Sequence, residues 1–309
     1  MARGWAGRVG VLMRILAIDL LNLFRRNWEA PDGNTNGVAL LRTRNTIDRF
    51  RTGFDVVAIC SDAHPCAISF RQHIEPSYKA SRTDPGPQFG DAHQVALAQM
   101  GEAGFTVFVA PQHEDGDYHE AEDVIASMCV WACHRGHSVR IMSSDKDLAQ
   151  LVSVASGVST LVDIQGPDGN VLDQAAITAK IGIAPRYVPD WLALAGDASD
   201  GYKPFPGPMS EGRKRRPGIG DKTAVGLIRD VLADEMWCAG ELGARPAFAV
   251  FDLLGLDDAY ERDPPRLTCG PSVKKILRGH GVEAAARGLA LATLRRDVPI
   301  DFSGLERYA

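Results

Sequence analysis

The sequence predicts an α/β fold, a mostly parallel central sheet flanked by helices, followed by a helical region. Short β-rich runs recur through the first half, helical stretches separate them, and strand-like patterning stops near residue 185. The runs cover residues 15–18, 56–60, 105–109, 139–143 and 160–164. The first four are nearly all apolar rather than alternating, which suits strands covered by helices on both faces. Helices are expected over 37–51, 92–102 and 121–134. Strand alternating with helix implies right-handed crossovers within one sheet. The turn Gly166-Pro167-Asp168-Gly169-Asn170 then folds the last run back onto Val171 and Leu172. Beyond a boundary at 185–189 the chain reads as helices separated by Gly and Pro, with a proline-rich loop over 202–217. An α/β domain over 14–185 and a helical domain over 186–309 follow. Residues 1–13 add little pattern and read as an extension, because Met13-Arg14-Ile15-Leu16-Ala17 is a natural start for the first strand.

Composition narrows the function classes. At 309 residues, 45% hydrophobic and 24% charged, the chain suits a soluble protein of about two domains. No apolar run reaches the ~18 residues of a membrane helix, since Arg14 and Asp19 interrupt the best candidate. The six cysteines are too scattered for a disulfide framework, so a reducing, cytoplasmic setting is expected. The net charge of −5 advertises no nucleic acid. That average hides a split: residues 201–229 hold seven Lys and Arg against two acids, while 113–123 hold six acids and no base.

Carboxylates fall where the strands end. Asp19 closes the first strand, Asp62 follows the second, and Asp145 and Asp147 follow the fourth. In an open parallel sheet those ends share one edge, where ligands bind. Glu120, Glu122 and Asp123 add acids at the start of a helix, where they also oppose the helix dipole. A single Asp is more often a cap or solvated loop residue, and Glu114, Asp115 and Asp117 are read that way. Several carboxylates at one edge repel unless protonated or neutralised by cations. Hard oxygen donors select Mg²⁺ or Mn²⁺, the arrangement used for two-metal phosphodiester hydrolysis. Cys129, Cys133, His134 and His137 suggest zinc on paper, but His134 leaves the Cys129–Cys133 helix face, and zinc is not expected.

Farther on, Asp197 and Asp200 follow a helix, and Gly218-Ile219-Gly220-Asp221-Lys222-Thr223 leads into another. Glycines before a helix N-terminus let backbone N–H groups approach an anion. Asp221 stands where a P-loop needs Gly, so that motif is excluded. A basic phosphate cradle beside an acidic metal site suggests a nucleic-acid substrate.

Together these residues resemble the 5′-nuclease family: flap endonucleases, phage 5′→3′ exonucleases and the N-terminal exonuclease domain of bacterial DNA polymerase I. The resemblance runs in the family's order from about Arg14 to about Asp301. Asp19-Leu20-Leu21-Asn22 is similar to the first motif. Asp62, Phe70-Arg71 and Pro76-Ser77-Tyr78-Lys79-Ala80-Ser81-Arg82 are similar to the second. Glu120-Ala121-Glu122-Asp123 resembles a Glu-Ala-Asp-Asp box, and Ser144-Asp145-Lys146-Asp147 a Ser-x-Asp-x-Asp run. Asp197, Asp200 and the 218–223 turn resemble a helix–three-turn–helix element that grips duplex DNA.

The resemblance implies a nuclease core of the PIN type with a helical arch, then a helical DNA-binding domain. It implies a 5′→3′ exonuclease or flap endonuclease acting on DNA with a free 5′ end in replication or repair, a cytoplasmic monomer of bacterial or phage origin. One cation is assigned to Asp19, Asp62, Glu120, Glu122 and Asp123, and a second to Asp145, Asp147, Asp197 and Asp200. Lys79 and Arg82 are to face the scissile phosphate, Tyr78 to stack on a terminal base, and Arg26 to contact phosphate. Gly218, Gly220, Lys222 and Thr223 are to hold the duplex, with K⁺ at Gly218–Gly220. The chain departs from the family in three places: Glu122 replaces an Asp, residues 201–216 with Arg213 to Arg216 are inserted, and Pro85 and Pro87 shorten the arch. With no polymerase domain after it, a stand-alone nuclease is expected. Two alternatives stand beside this: a structure-specific DNA-binding protein that no longer cuts, and a PIN-type ribonuclease. The full acid set argues against the first, and the 218–223 turn, Tyr78-Lys79 and the chain length argue against the second.

Overall fold

Strands that are apolar on both faces need cover on both, and a single six-stranded sheet meets that need among the described residues. The computed structural model describes residues 12–35, 37–162, 169–208, 218–242, 244–260 and 265–308. The strands are β1 (Arg14–Asp19), β2 (Val56–Ser61), β3 (Thr106–Val109), β4 (Ser138–Met142), β5 (Val158–Val162) and β6 (Asn170–Leu172). Their order is β3-β2-β1-β4-β5-β6, with β1 to β5 parallel and β6 antiparallel to β5. The helices are α1 (Leu20–Glu29), α2 (Val38–Phe50), α3 (Arg71–Ile74), α4 (Gln88–Glu102), α5 (Ala121–His134) and α6 (Gln174–Ile181). They continue as α7 (Val188–Ala195), α8 (Asp221–Ala233), α9 (Glu235–Ala239), α10 (Pro246–Tyr260) and α11 (Pro271–Ala292).

The expected strands and helices form within a few residues of the positions read from the sequence. The β5–β6 hairpin forms as well, although residues 166–168 of its turn lie outside the described set. One strand differs in character. β3 is an edge strand, with no strand paired on its outer side among the described residues, and Val109 at its end is 41% exposed, whereas its apolar run alone suggested full cover.

Contacts gather the chain into two compact units. The first takes residues up to Ala67, Pro85–Asp173 and those from Arg295 on; the second takes Ile68–Asp84 and Gln174–Leu294. In the first, alternation along β1 sends Leu16 and Ile18 to one face, where they meet Leu23 of α1, Ile47 of α2 and Met100 of α4. The helix α5 packs against β1, β2 and β4, burying Val124, Ile125 and Met128. The closing segment returns to this unit: Val298 N–H donates to Ser127 Oγ at 3.0 Å, and the Phe302 and Phe108 rings lie 5.0 Å apart.

In the second unit every residue of α7 is buried, among α8, α10 and α11. Gly288 allows α11 to approach, since a Cβ there would stand 2.7 Å from Ala193 O. Among the described residues no helix is long and apolar enough to cross a membrane.

One buried histidine in the first unit sets a pH limit. His93 on α4 is fully buried against Phe24 and Phe89, and its Nε2 lies 3.3 Å from Ser61 Oγ. Burial, aided by the His64 charge, pulls its pKa from 6.5 down to about 4. The unfolded chain therefore binds the extra proton between those values, so stability is full above 6.5 and falls as pH drops toward 4, by up to about 3 kcal/mol. Denaturant titrations across this range should show that acid limb in the native protein and a flatter one in His93→Gln.

Candidate metal-dependent active site

Parallel strands place their last residues on one edge, and Asp19, Asp62, Asp145 and Asp147 lie at or just past those ends. β1 is the strand from which the chain steps outward both ways, to β2 and β3 on one side and to β4 and β5 on the other. Such a switch point opens a crevice at the strand C-termini. Asp19, at the end of β1, is 4% exposed and caps α1, its Oδ1 accepting Asn22 N–H at 3.0 Å. Its Oδ2 accepts the Ser143 hydroxyl at 3.0 Å, just past β4. Burial, reinforced by the charges of Asp62 and Asp145, raises the Asp19 pKa from 3.8 to about 7. Beside it, Asn22 Oδ1 accepts Ser144 N–H at 3.2 Å and its hydroxyl at 2.9 Å, tying α1 to the loop after β4.

Across the sheet, Asp62 Oδ1 accepts Ala121 N–H at 2.8 Å, so the end of β2 holds the first turn of α5. Glu120 is the N-cap of α5 and forms a reciprocal capping box with Asp123. One helical step places Glu122 toward the loop after β4. There one carboxylate oxygen from each of Glu122, Asp145 and Asp147 lies within 4.8 Å of the others. Asp145 Oδ1 also accepts Asp147 N–H at 2.9 Å, which fixes that loop. Three carboxylate oxygens at this spacing, without nitrogen or sulfur, fit a hard divalent cation.

Asp123, one of the acids assigned to the first cation, sits in the first turn of α5. It is fully buried, its Oδ2 accepts Glu120 N–H at 3.1 Å, and its Oδ1 accepts Arg295 N–H at 2.8 Å. It anchors both the start of α5 and the closing segment. Arg26 lies half-buried in the last turn of α1. Of the cysteine–histidine set, Cys129 is buried in α5, Cys133 is exposed, and His137 Nδ1 accepts Met13 N–H at 3.3 Å.

The second unit holds the remaining acids and cations. Asp197 and Asp200 lie in a tight loop after α7, closed by paired backbone bonds between Asp197 and Tyr202. Gly196 and Gly201 take positive φ of 79° and 75° there. Asp197 Oδ1 accepts Ser199 N–H at 2.8 Å. The Asp200 carboxylate pairs with Arg82 Nη2 at 2.6 Å, and its carbonyl accepts Lys79 N–H at 2.7 Å. Tyr78, expected to stack on a base, is 1% exposed and packs with Tyr202 and Leu291, so in this structure its ring serves as core.

At the glycine turn, a Cβ on Gly218 would stand 1.9 Å from Phe205 O, so this glycine serves close packing. Gly220, the N-cap of α8, has open space around it, and Lys222 is exposed in the first helical turn beside half-buried Thr223. The run Arg213 to Arg216 lies outside the described residues.

A family model for the N-terminal, resolvase-like domain of 5′-3′ exonucleases matches residues 14–182. The chain belongs to this family. Among curated relatives it is 32% identical over 163 residues to DNA polymerase I of Mycobacterium bovis, which is 52% of this chain and 16% of that protein. It is 34% identical over 225 residues to the thermostable DNA polymerase I of Thermus thermophilus, 70% of this chain and 24% of that one. The chain thus spans between about a sixth and a quarter of the length of these relatives.

Two solved structures share the fold. The T5 5′-exonuclease with bound divalent zinc ions superposes with a TM-score of 0.59 at 18% identity, covering 91% of this chain and 90% of that one. The catalytic core of Rad2 in complex with DNA substrate gives 0.50 at 14% identity, covering 88% and 73%.

Serine partners and the Asp123 cap were not readable from the family motifs. The local signals for them are the pair Ser143-Ser144 directly before the acidic run and the i, i+3 spacing of Glu120 and Asp123 at the start of α5. The bonding makes a separable prediction. Asp123→Asn should destabilise the protein by about 1–3 kcal/mol, because an amide nitrogen would face a backbone N–H. Glu122→Gln, which removes one charge from the cluster, should hold or raise the melting temperature in EDTA. Thermal unfolding of both variants checks this.

Proposed function

We propose that this chain is a divalent-metal-dependent 5′→3′ exonuclease and flap endonuclease that hydrolyses DNA phosphodiester bonds near free 5′ ends. The observation that carries the proposal is the cluster of Glu122, Asp145 and Asp147 beside buried Asp19, at the sheet edge of a 5′-3′ exonuclease-family fold. These acids would hold Mg²⁺ or Mn²⁺, with Asp62 and Glu120 adjoining. Bound divalent cations would offset charge on the scissile phosphate and activate the attacking water. We take Asp197 and Asp200 as acids for a second cation, and the Gly218–Gly220 turn as the place for K⁺.

The chain's own groups supply the rest. Ser143 and Asn22 orient the Asp19 carboxylate and the loop that carries Asp145. The Lys79 ammonium and the Arg82 guanidinium offset charge that builds on the phosphate in the transition state, a contact typically worth ~3–4 kcal/mol. Lys222, Thr223 and the first N–H groups of α8 receive duplex phosphates. Arg26 adds a phosphate contact. The protein would act as a cytoplasmic monomer in replication or repair. Full retention of the acid set favours cutting over binding alone.

A gel assay with a 5′-labelled flap and a recessed duplex end tests this. Cleavage to 5′-phosphate products should appear with Mg²⁺ or Mn²⁺ and vanish in EDTA. Lys79→Ala should lower the single-turnover rate by about a hundredfold and change DNA affinity far less. Folded protein that binds both substrates and cuts neither would establish the non-cutting alternative.

A further inference from the structure

Lys79 has a backbone that lysine rarely adopts. Its φ is +61°, and among the described residues only Asp32 shares a positive φ outside glycine. Such strain persists only where the surroundings over-determine it, and it gathers at functional positions. Asp200, Arg82 and Tyr78, which contact Lys79, lie with it in the second unit. Its N–H donates to Asp200 O, and its carbonyl accepts Arg82 N–H at 3.1 Å. Its Nζ stands 5.0 Å over the Tyr78 ring, a cation–π contact that aims the ammonium. Across from this, Gly201 lies so close that a Cβ would stand 2.8 Å from Ser81 Oγ, which locks the 197–202 loop against the segment carrying Lys79.

Tyr78 is therefore the platform on which Lys79 rests, and Tyr78 is itself placed by what lies under it. Its ring packs on Tyr202 and Leu291. Leu291 is in the last turn of α11, and that turn is held by a buried cation. Arg71 of α3 is 1% exposed, with Nε donating to Leu291 O at 2.9 Å and Nη2 to Thr293 O at 3.3 Å. A guanidinium on the last carbonyls of a helix satisfies groups that have no intrahelical partner and opposes the negative end of the dipole. Gln72, the next residue, donates to Tyr78 O at 3.4 Å.

We propose that Arg71 is a positioning residue: its buried guanidinium fixes the end of α11 beneath Tyr78, and Tyr78 in turn holds the ammonium of Lys79, whose backbone is left-handed, in its catalytic orientation. Arg71 reaches no substrate; it acts through the side chain above it. The inference rests on the proposed role of Lys79 in phosphodiester cleavage.

The test is a double-mutant cycle in single-turnover cleavage of a 5′-labelled flap, with DNA affinity measured alongside. Arg71→Gln should lower the rate roughly 10- to 100-fold and leave affinity near wild type, the cost expected of a small misplacement of a reacting group. Adding Lys79→Ala to Arg71→Gln should then cost little more than Lys79→Ala alone, which a general loss of stability would not produce. Arg71→Lys keeps the charge but loses the fork that spans two carbonyls, so it should fall between wild type and Arg71→Gln. It also carries the test if Arg71→Gln does not fold. Additive losses, or a wild-type rate in folded Arg71→Gln and Arg71→Lys, would overturn the positioning role. A wild-type rate in Lys79→Ala would overturn the role of Lys79 and the inference with it. A normal bound rate with collapsed affinity would show that Arg71 serves DNA docking instead.

Discussion

Like charges crowded at one edge of a parallel sheet are the constraint on which the rest of the structure depends. With one carboxylate oxygen from each of Glu122, Asp145 and Asp147 within 4.8 Å of the others, each ionised pair repels by at least roughly 3 kcal/mol at an effective dielectric near 20. Burial, with a smaller push from the Asp62 and Asp145 charges, raises the Asp19 pKa to about 7. An edge like this is stable only if something holds the acids in place and something else offsets their charge. The first requirement is met by neutral donors. Ser143 and Asn22 N–H hold Asp19, Ala121 N–H holds Asp62, and Asp147 N–H holds Asp145. The second is what a divalent cation supplies.

The same economy of rigid parts governs the second unit. Lys79 and Arg82 are long, flexible side chains on an irregular segment that follows the four-residue helix α3. Their order comes from Asp200, whose carboxylate takes Arg82 and whose carbonyl takes Lys79, and from the buried Tyr78–Tyr202–Leu291 cluster. Positive-φ glycines at 196 and 201 let the chain turn tightly enough to present Asp200 for both. Cationic groups that meet a phosphate act best when they need not reorganise, and this packing removes that need.

Much of this was legible in the sequence, and the physical reason is periodicity. Continuous apolar runs specify buried parallel strands, and an acid directly after such a run must lie at the sheet edge, so Asp19, Asp62 and Asp145 could be placed without a structure. Contacts between residues far apart in the chain leave no such trace. Nothing local indicates that Asp123 gives an oxygen to Arg295 N–H, 172 positions on. Nothing local separates a Tyr78 that stacks on a ligand from one that is core, because both favour an aromatic beside a lysine. The Gly218 turn reads as a phosphate cradle, yet the close approach of Phe205 O shows that this glycine also serves packing.

The central claim is that the sheet-edge acids bind a divalent cation, and Mn²⁺ binding measures this most directly. Calorimetry or electron paramagnetic resonance of free Mn²⁺ should show binding to the wild-type protein, abolished or greatly weakened in Asp145→Asn/Asp147→Asn that keeps its native near-UV circular dichroism. A folded double variant that binds Mn²⁺ with wild-type stoichiometry and affinity would contradict the account.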